Sequence, residues 1–305
     1  RPPATLPRGV ANKRNLYDLC QRLGIACPRT AFPNSHEEWL ELARRTPLPV
    51  VVKVIEPWLA PKGLKTTVIV SDRQELVEYC DSHGPRIPAT ALMIQEMIPS
   101  ATSEDWFVHG YCDSQSNPVA IFTGVKLRSY PAFAGPTTFA RSVRNDALQQ
   151  QASVLLTAIG YRGIMDLDFR LDCRDGRYNL LDFNPRVGAQ FKLFKDADGT
   201  DVVRALHLDL TGRTARVGPQ IQGRTFVAEI QDLLASRAYW RSGALTIRDW
   251  WRSLRQIDEP AWYTADDPLP FVLMCLHMPF RAVSRALSLT ISQMGNKEPP
   301  TLRSR

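Results

Sequence analysis

The chain has 305 residues, of which 44% are hydrophobic and 23% are charged, so it has enough apolar material for two or three folded units. Its formal net charge is +7, but the sequence has no lysine- or arginine-rich run and no aromatic–basic repeat, and we therefore predict no nucleic-acid partner. The six cysteines form no CxxC pair, which is typical of reduced thiols in a cytoplasmic protein. The chain starts at Arg1-Pro2-Pro3 without a methionine, and we expect a further domain to precede it.

The predicted elements mix helices and strands, which is typical of an α+β fold. Residues 1–11 are rich in proline and predict a linker. Two α+β units follow, at 12–99 and 100–215, and the pattern of residues 216–305 predicts a helical extension of a different character. The predicted helices lie near 13–23, 71–83, 146–160 and 201–210. The predicted strands lie near 49–55, 91–97, 105–112, 118–126 and in a hairpin at 164–186.

The hairpin sequence IMDLDFRLDCRDGRYNLLDFNPR is the most informative pattern in the chain. Its first strand alternates between apolar and charged side chains, and its return strand places Leu180, Asp182 and Asn184 together on the polar face. A turn at the Asp-Gly dipeptide pairs Asp168 with Asp182 and Asp166 with Asn184. The sequence therefore predicts two carboxylates and an amide side by side at the end of a sheet.

Such a cluster has a clear chemical use. Directly opposed side chains lie about 4.5–5.5 Å apart at Cβ, and two carboxylates that close repel by about 4 kcal/mol near a protein surface. A cation removes this repulsion, and Mg²⁺ is usually held by one or two carboxylates together with substrate phosphates. The alternative is a solvated sheet face with scattered charge. The proline after Asn184 ends the strand and favours a site.

Two lysine-bearing segments are candidates for phosphate binding. Alternation places Lys53 on the same strand face as Val51, where a lysine needs an anion or must lose its proton. The alternative is a lysine that protects an edge strand. The turn P-K-G-L-K-T-T contains Lys62 and Lys65, whose charges and backbone amides could cover phosphates. An ordinary hairpin turn explains the same residues, since no Walker motif is present.

The strand L-M-I-Q-E-M ends in a polar pair and is followed by I-P-S. We interpret Gln95, Glu96, Met97 and Ile98 as an edge that offers backbone donors and acceptors to a base, and Glu104 as a carboxylate for ribose hydroxyls. The same stretch is compatible with a linker between the two units.

Three cations flank segments with unusual composition. Lys126 ends a predicted strand, and Arg128 precedes the loop S-Y-P-A-F-A-G-P-T-T-F-A. This loop is longer and more apolar than an ordinary connecting turn, which indicates contact with a substrate. Arg186 follows the hairpin at the mouth of the predicted site, where a planar guanidinium suits phosphate or carboxylate. We predict catalytic roles for these three, with plain surface charge as the alternative.

The apolar tail at 269–290 is interrupted by prolines, a histidine and arginines, so it is a poor membrane span. We expect either a helix docked on the protein, or contact with a membrane surface or another protein.

The ordered series of motifs resembles the ATP-grasp superfamily, which includes carboxylate–amine ligases such as D-alanine–D-alanine ligase. The segment from Asn12 to Thr30 is similar to the family's N-K-x…G-I-x-x-P-R-T, and Gln95–Pro99 is similar to its hinge Q-E-x-I-P. The resemblance covers residues 12–212. It implies nucleotide contacts at Lys13, Lys53, Lys62, Lys65, Gln95, Glu96, Met97, Ile98 and Glu104. It implies metal ligands at Asp168, Asp182 and Asn184.

The resemblance also implies a fold and a reaction. ATP would lie between two α+β units, with two Mg²⁺ ions, or Mn²⁺ in their place, on its phosphates. A substrate carboxylate would attack the γ-phosphorus to give an acyl phosphate, and an amine, less often a thiol, would displace phosphate. The expected partners are ATP and small carboxylate and amine substrates, and a homodimer is a further hypothesis.

Two departures from the family keep alternatives open. Asp166 stands where D-alanine–D-alanine ligases carry an arginine, so Arg186 or Arg128 would have to supply that charge, and Asp182 stands where many members carry glutamate. The leading hypothesis is an ATP-dependent ligase that releases ADP and phosphate. The alternatives are an ATP-binding regulatory protein with reduced catalysis, and a membrane-surface module built around the tail.

Overall fold

Two antiparallel sheets organise the chain in a computed structural model, which describes residues 5–83, 86–133 and 135–277. The helices are α1 (Thr5–Ala11), α2 (Lys13–Leu23), α3 (His36–Arg45), α4 (Arg73–His83), α5 (Asp146–Ala158), α6 (Val202–Leu210), α7 (Glu229–Arg241) and α8 (Ile247–Leu254). The strands are β1 (Thr30–Ala31), β2 (Val50–Val54), β3 (Thr67–Val70), β4 (Leu92–Glu96), β5 (Ser103–Cys112), β6 (Pro118–Ser129), β7 (Thr137–Ser142), β8 (Gly163–Asp172), β9 (Arg177–Asn184), β10 (Thr225–Val227) and β11 (Glu259–Pro260). The α+β prediction is confirmed.

The first sheet has the strand order β1-β4-β2-β3. Val50, Val52 and Val54 point from β2 into a core that α3 and α4 cover with Trp39 and other apolar side chains. Because successive side chains of a strand point to opposite faces, Lys53 points away from this core. The predicted alternation of this strand is confirmed.

The second sheet has the order β11-β10-β7-β6-β5-β8-β9, and all neighbours are antiparallel except β10 and β11. Trp106, Leu167 and Phe169 lie on one face and pack with residues of α2 and α5, including Leu16 and Leu155. This packing leaves the opposite face of β8 and β9 for the polar residues of the hairpin.

The register of the hairpin is the one that the sequence predicts. Asp168 pairs with Asp182 and Asp166 pairs with Asn184. A bulge between Asp168 and Phe169 shifts the register beyond this point, and Leu180 consequently packs in the apolar core at 2% exposure. The prediction that placed Leu180 on the polar face was wrong, because strict alternation does not include a bulge.

The linker prediction for residues 1–11 was wrong where the structure describes it. Residues 5–11 form helix α1, and Val10 is buried in the same core as α2, with Leu6 packed against it. Because the segment is short and contains proline and glycine, its helical pattern was missed. Leu6 and Val10 are four residues apart, which is the spacing of one helix face.

The predicted helical extension at 216–305 contains helices α7 and α8, but it also contains two short strands that the sequence did not predict. Strands β10 and β11 extend the second sheet, and helix α7 packs on β6 and β7 with Tyr239 and Ala235 buried. A strand of three residues, such as Thr225–Val227, is too short to show an alternating pattern.

Helices long and apolar enough to cross a membrane are absent from the part of the chain that the structure describes. Residues 269–277 are helical and expose Leu269, Val272 and Leu276. The rest of the tail prediction for 269–290, from residue 278 onward, lies outside the described residues.

Candidate functional site

Charged side chains from five different elements converge between the two sheets. Lys13 comes from the start of α2, Lys53 from β2 and Lys126 from β6, while Asp168 and Asp182 come from β8 and β9. The structure therefore brings together five residues that lie up to 169 positions apart in the chain.

The contacts within this cluster are specific. Lys13 Nζ donates to Asp182 Oδ1, and Lys53 Nζ lies 3.9 Å from Asp182 Oδ2. Lys126 Nζ lies 3.7 Å from Asp168 Oδ1, and Asn184 Nδ2 donates to Asp168 Oδ2 over 3.4 Å. The three lysine side chains are only 10–14% exposed, whereas the carboxylates of Asp168 and Asp182 are 29% and 32% exposed. The carboxylates thus remain open to a ligand.

Local structure explains why Lys13 reaches this point. Asn12 caps helix α2 by accepting hydrogen bonds from Arg14 N and Asn15 N, which fixes the first turn of the helix. The backbone N–H of Lys13 donates to Ile55 O, 3.3 Å away at the end of β2. This bond ties the helix start to the first sheet, and the side chain of Lys13 reaches the second.

Burial and neighbouring charge shift three pKa values here. Burial lowers the pKa of Lys53, with Lys13 adding repulsion and Asp182 opposing the shift. Burial raises the pKa of Asp168, because the attraction of Lys126 does not offset it and Asp166 and Asp182 repel a further negative charge. Perturbations of this kind are typical of functional sites.

The pKa of Asp182 moves in the opposite direction. Burial by itself would raise this pKa, but the charges of Lys13 and Lys53 outweigh burial and lower it. The ionised form of Asp182 is therefore stabilised. The negative charge of Asp168 is only partly compensated by its neighbours, and a nearby divalent cation would stabilise it.

The donor set suits a hard cation that shares a phosphate ligand. Across residues 5–83, 86–133 and 135–277, no three His, Cys, Asp or Glu side chains cluster closely enough to hold a metal ion on their own. Asp168, Asp182 and the amide of Asn184 supply oxygen ligands. Mg²⁺ is usually bound by one or two carboxylates, and substrate phosphates complete its coordination shell. The residues therefore fit magnesium together with a phosphate-bearing molecule.

Arg186 lies at the edge of the cluster. Its side chain is 62% exposed, and its Nη1 lies 3.8 Å from Asp166 Oδ2. The position agrees with the predicted site mouth, while its catalytic role stays a prediction.

The predicted hinge connects the two sheets. β4 ends at Glu96 and β5 begins at Ser103. Gln95 Nε2 donates to Thr30 Oγ1 over 3.0 Å, Arg29 Nε donates to Glu96 Oε2 over 2.8 Å, and Ile98 O accepts from an arginine of β8. The side chains of Gln95 and Glu96 are thus engaged within the first sheet, so a base would meet the backbone of this segment. The roles of Met97 and Ile98 in base binding stay predictions.

The predicted phosphate-covering loop lies between β2 and β3. Lys62 and Lys65 are exposed there, Gly63 has a φ of 81°, and Arg86 Nη2 donates to Lys62 O over 2.8 Å. Their contact with phosphate stays a prediction.

Comparison with known proteins identifies the fold. No protein-family profile matches the chain. Over 213 residues it is 24% identical to the carbamoyl phosphate synthase large chain of Vibrio cholerae, covering 67% of this chain and 19% of that protein. Over 206 residues it is 24% identical to the D-aspartate ligase of Enterococcus faecium, covering 64% of this chain and 48% of that protein.

A solved structure shows the same architecture. The biotin carboxylase domain of Hydrogenobacter thermophilus 2-oxoglutarate carboxylase, determined with MgADP, ADP and bicarbonate, superposes with a TM-score of 0.55 at 13% identity over 71% of this chain and 49% of that chain. The chain has the ATP-grasp fold. It spans less than half the length of each of these two curated relatives.

Within this ATP-grasp fold, Glu104 is not where the sequence placed it. Asp105, not Glu104, lies on the face of Asp168, because Phe107 and Asp168 are direct partners across β5 and β8. Glu104 is on the opposite face, and its Oε2 accepts from Trp106 Nε1 over 3.0 Å. The expectation that Glu104 faces the candidate site was wrong, because a shift of one residue along a strand moves a side chain to the other face.

Arg128 is also absent from the cluster of charged side chains. A bulge between Lys126 and Arg128 turns Arg128 away from Lys126. Its guanidinium makes two hydrogen bonds with Asp232, of 2.7 and 2.8 Å, in a site where both side chains are at most 6% exposed. The catalytic assignment of Arg128 was therefore wrong, since its charge is already neutralised on helix α7.

Sequence reasoning missed two groups beside the candidate site. Arg170 Nε donates to Asp105 Oδ1 over 2.7 Å, and the same guanidinium donates to Ile98 O over 3.2 Å, so it fastens the hinge to β8. His109 lies 3.2 Å from Asp166. The alternation of D-W-F-V-H along β5 puts Asp105 and His109 on one face, but the pairing of β5 with β8 is needed to show that this is the face of Asp168.

Proposed function

We propose that this ATP-grasp chain forms the nucleotide- and magnesium-binding part of an ATP-dependent ligase that joins a carboxylate to an amine and releases ADP and phosphate. The convergence of Lys13, Lys53 and Lys126 on Asp168 and Asp182 carries this proposal. The names of relatives support it, since D-aspartate ligase is a ligase and the biotin carboxylase domain binds MgADP and bicarbonate.

The charges of the cluster match a metal–triphosphate. Three lysines against two aspartates leave one uncompensated positive charge, and every lysine at present uses a carboxylate as its partner. When a triphosphate and a divalent cation are added together, each lysine gains a phosphate partner and each carboxylate gains a cationic one. The exchange preserves charge pairing in a site where unpaired buried charge is costly.

The chain's residues would act by binding and orientation. Lys13, Lys53 and Lys126 would hold phosphate oxygens, and Asp168, Asp182 and Asn184 would hold Mg²⁺, with two ions, or Mn²⁺ instead, as the finer hypothesis. The metal would neutralise phosphate charge during transfer. Arg186 would face the charge that develops on the transferred group.

The reaction needs no protein nucleophile. A carboxylate oxygen attacks the γ-phosphorus, the bond to the β-phosphate oxygen breaks, and ADP leaves with an acyl phosphate remaining. The amine then attacks the acyl carbon, phosphate departs and the nitrogen loses a proton. Positioning and charge neutralisation are sufficient for such transfers.

One observation favours the second candidate, an ATP-binding regulatory protein with reduced catalysis. Asp166 stands where the resemblance to D-alanine–D-alanine ligase implies an arginine, and its carboxylate faces His109 and Arg186. A negative group at that point does not stabilise a transferring phosphate by itself, so catalysis would depend on Arg186.

An ADP-release screen separates the two candidates. The chain is incubated with ATP, Mg²⁺ and pairs of carboxylates and amines, with D-aspartate and bicarbonate among the carboxylates and ammonia among the amines. We expect ADP release that requires a carboxylate and is lost in Asp182→Ala. Calorimetric binding of MgATP without release for any pair would support the regulator, and failure to bind MgATP would contradict both. Light scattering tests the separate hypothesis of a homodimer.

A further inference from the structure

A buried imidazole–carboxylate pair lies beneath the mouth of the candidate site. His109 and Asp166 are direct partners across β5 and β8, they are 0% and 5% exposed, and His109 Nε2 lies 3.2 Å from Asp166 Oδ1. Asp166 is also the partner of Asn184 across β8 and β9. The pair therefore adjoins the proposed magnesium ligands without belonging to them.

The segment 185–190, which we call the Arg186 loop, crosses directly over this pair. A Cβ added at Gly188 would lie 2.3 Å from His109 Nε2 and 3.0 Å from Asp166 Cγ. The backbone of the loop therefore sits in contact with both side chains, at a distance that only glycine allows. The ring of Phe194 lies 5.2 Å from the His109 ring.

The carboxylate of Asp166 links the pair to Arg186. Its Oδ1 faces His109, and its Oδ2 lies 3.8 Å from Arg186 Nη1. The same Nη1 donates to Val187 O over 3.0 Å. The Asp166 carboxylate thus lies between the buried imidazole of His109 and the exposed guanidinium of Arg186.

A pair of this kind is costly in a core. Within the described residues, His109 Nδ1, His109 Nε2 and Asp166 Oδ1 have no hydrogen bond of acceptable geometry. Buried polar groups in such a state cost free energy that an apolar pair of the same size would not. Buried polar groups without a hydrogen bond are rare in folded proteins, and each one calls for an explanation.

We propose that the His109–Asp166 pair positions Arg186 by seating the Arg186 loop over the candidate site. His109 holds Asp166 in one orientation, the Asp166 carboxylate attracts the guanidinium, and Gly188 lets the backbone lie against both. His109 is a positioning residue in this arrangement. The consequence for turnover rests on the proposed function of Arg186, whereas the seating of the loop does not.

Trypsin cleavage after Arg186 tests the seating. Peptide-resolved mass spectrometry gives the rate at Arg186 relative to the bond between the exposed residues Arg213 and Thr214. His109→Leu should raise this ratio at least about tenfold, because loss of a contact to a charged group opens the loop locally. His109→Gln keeps a polar side chain facing the Asp166 carboxylate and should stay within about threefold, as should the control His207→Leu on the exposed face of α6.

Gly188→Ala changes the loop instead of the pair, and it tests the proposal if His109→Leu does not fold. Its Cβ would displace the loop, so the cleavage ratio should rise as in His109→Leu. An unchanged ratio in either folded variant overturns the proposal. An equal rise in His109→Gln and His109→Leu also overturns it, because the contact with Asp166 would then not be the cause.

Kinetics separate positioning from packing. His109→Leu should lower kcat for ADP release with little change in the Kd for MgATP, and the double variant with Arg186→Ala should be no slower than Arg186→Ala alone. Additive losses would show that His109 does not act through Arg186. Absence of ADP release in the wild-type chain would contradict the proposed ligase function, and the cleavage ratios would still decide whether the loop is seated by the pair.

Discussion

Lys126 and Arg128 lie two residues apart on the same strand and meet entirely different surroundings. Lys126 Nζ is 3.7 Å from the partly exposed carboxylate of Asp168, in a cluster where Lys53 Nζ also lies 3.9 Å from its carboxylate partner. Arg128 forms a closed network in which Asp232 also accepts from Trp250 Nε1 over 2.9 Å and from Thr138 Oγ1 over 3.1 Å. One region has unused capacity for a ligand and the other has none.

The difference shows how to distinguish a binding site from a structural ion pair. In the network of Arg128, both carboxylate oxygens of Asp232 have two donors each, and the guanidinium lies 4.1 Å from the centroid of the Phe139 ring. In the cluster of Lys126, the carboxylates are about one-third exposed and like charges from three lysines adjoin. Completed bonding favours stability, whereas incomplete bonding favours a ligand.

Arg128→Met is the strongest test of the closed network. Removal of one partner leaves Asp232 as an uncompensated buried charge, so we expect the free energy of unfolding to fall by about 3–5 kcal/mol. Urea denaturation measures the change. Arg144→Met is the matched control, because the Arg144–Asp146 pair is at least 50% exposed and such surface pairs contribute about 0–1 kcal/mol. Equal losses of unfolding free energy in both variants would contradict the distinction between the closed network and an exposed ion pair.

Asp182→Ala and Asn184→Ala are the corresponding tests of the open cluster. Each should cut ADP release by about 10²–10³-fold, the usual cost of one preorganised electrostatic contact, while the chain remains folded by circular dichroism. Asp175→Ala, at the exposed end of the same hairpin, should leave the rate unchanged. Rates near wild type in both Asp182→Ala and Asn184→Ala would contradict the metal assignment.

The parts of this site that the sequence could predict follow from local rules. A turn at Gly176, which has a φ of 72°, together with period-2 alternation predicts that the polar faces of the two strands meet. Asp168 is the partner of Asp182, although a bulge lies between this pair and the turn. The same alternation separates Lys53 from the valines that face the core. Both inferences need only neighbours along one strand or hairpin.

The parts that the sequence could not predict depend on irregular or distant structure. Bulges decide the faces of Arg128 and Leu180, and no residue pattern signals them. The faces of Glu104 and His109 depend on the pairing of β5 with β8, more than fifty positions further along the chain. The short strand β10 gains its stability from the sheet it joins, not from its own three residues.

Lys53→Met separates binding from stability within the open cluster. We expect the affinity for MgATP to fall by about tenfold or more, because a contact from lysine to a charged phosphate is lost. The free energy of unfolding should stay the same or rise, since burial and Lys13 already disfavour the charged form of Lys53. Calorimetry and urea denaturation give the two values. A large loss of stability would make Lys53 a structural residue like Arg128.

The lowered pKa of Lys53 adds a pH dependence with a definite sign. A lysine whose pKa is lower in the folded chain than in the unfolded chain costs stability while it is charged, and this cost disappears as pH rises toward the unfolded value of 10.5. The advantage of Lys53→Met over wild type should therefore be largest near neutral pH and shrink at alkaline pH. An advantage that grows with pH would contradict the assigned cause.

Glu104→Ala should have the smallest effect, and it tests the face assignment of β5. Its carboxylate accepts from Trp106 Nε1 on the face opposite Asp168, so the Kd for MgATP should change by no more than about threefold. Asp105→Ala on the neighbouring position should weaken binding more, because it frees Arg170, whose guanidinium also donates to Ile98 O in the hinge. Calorimetry on the two variants compares adjacent carboxylates that differ only in the face they occupy. A greater loss of affinity in Glu104→Ala than in Asp105→Ala would mean that ATP binds on the opposite face of β5.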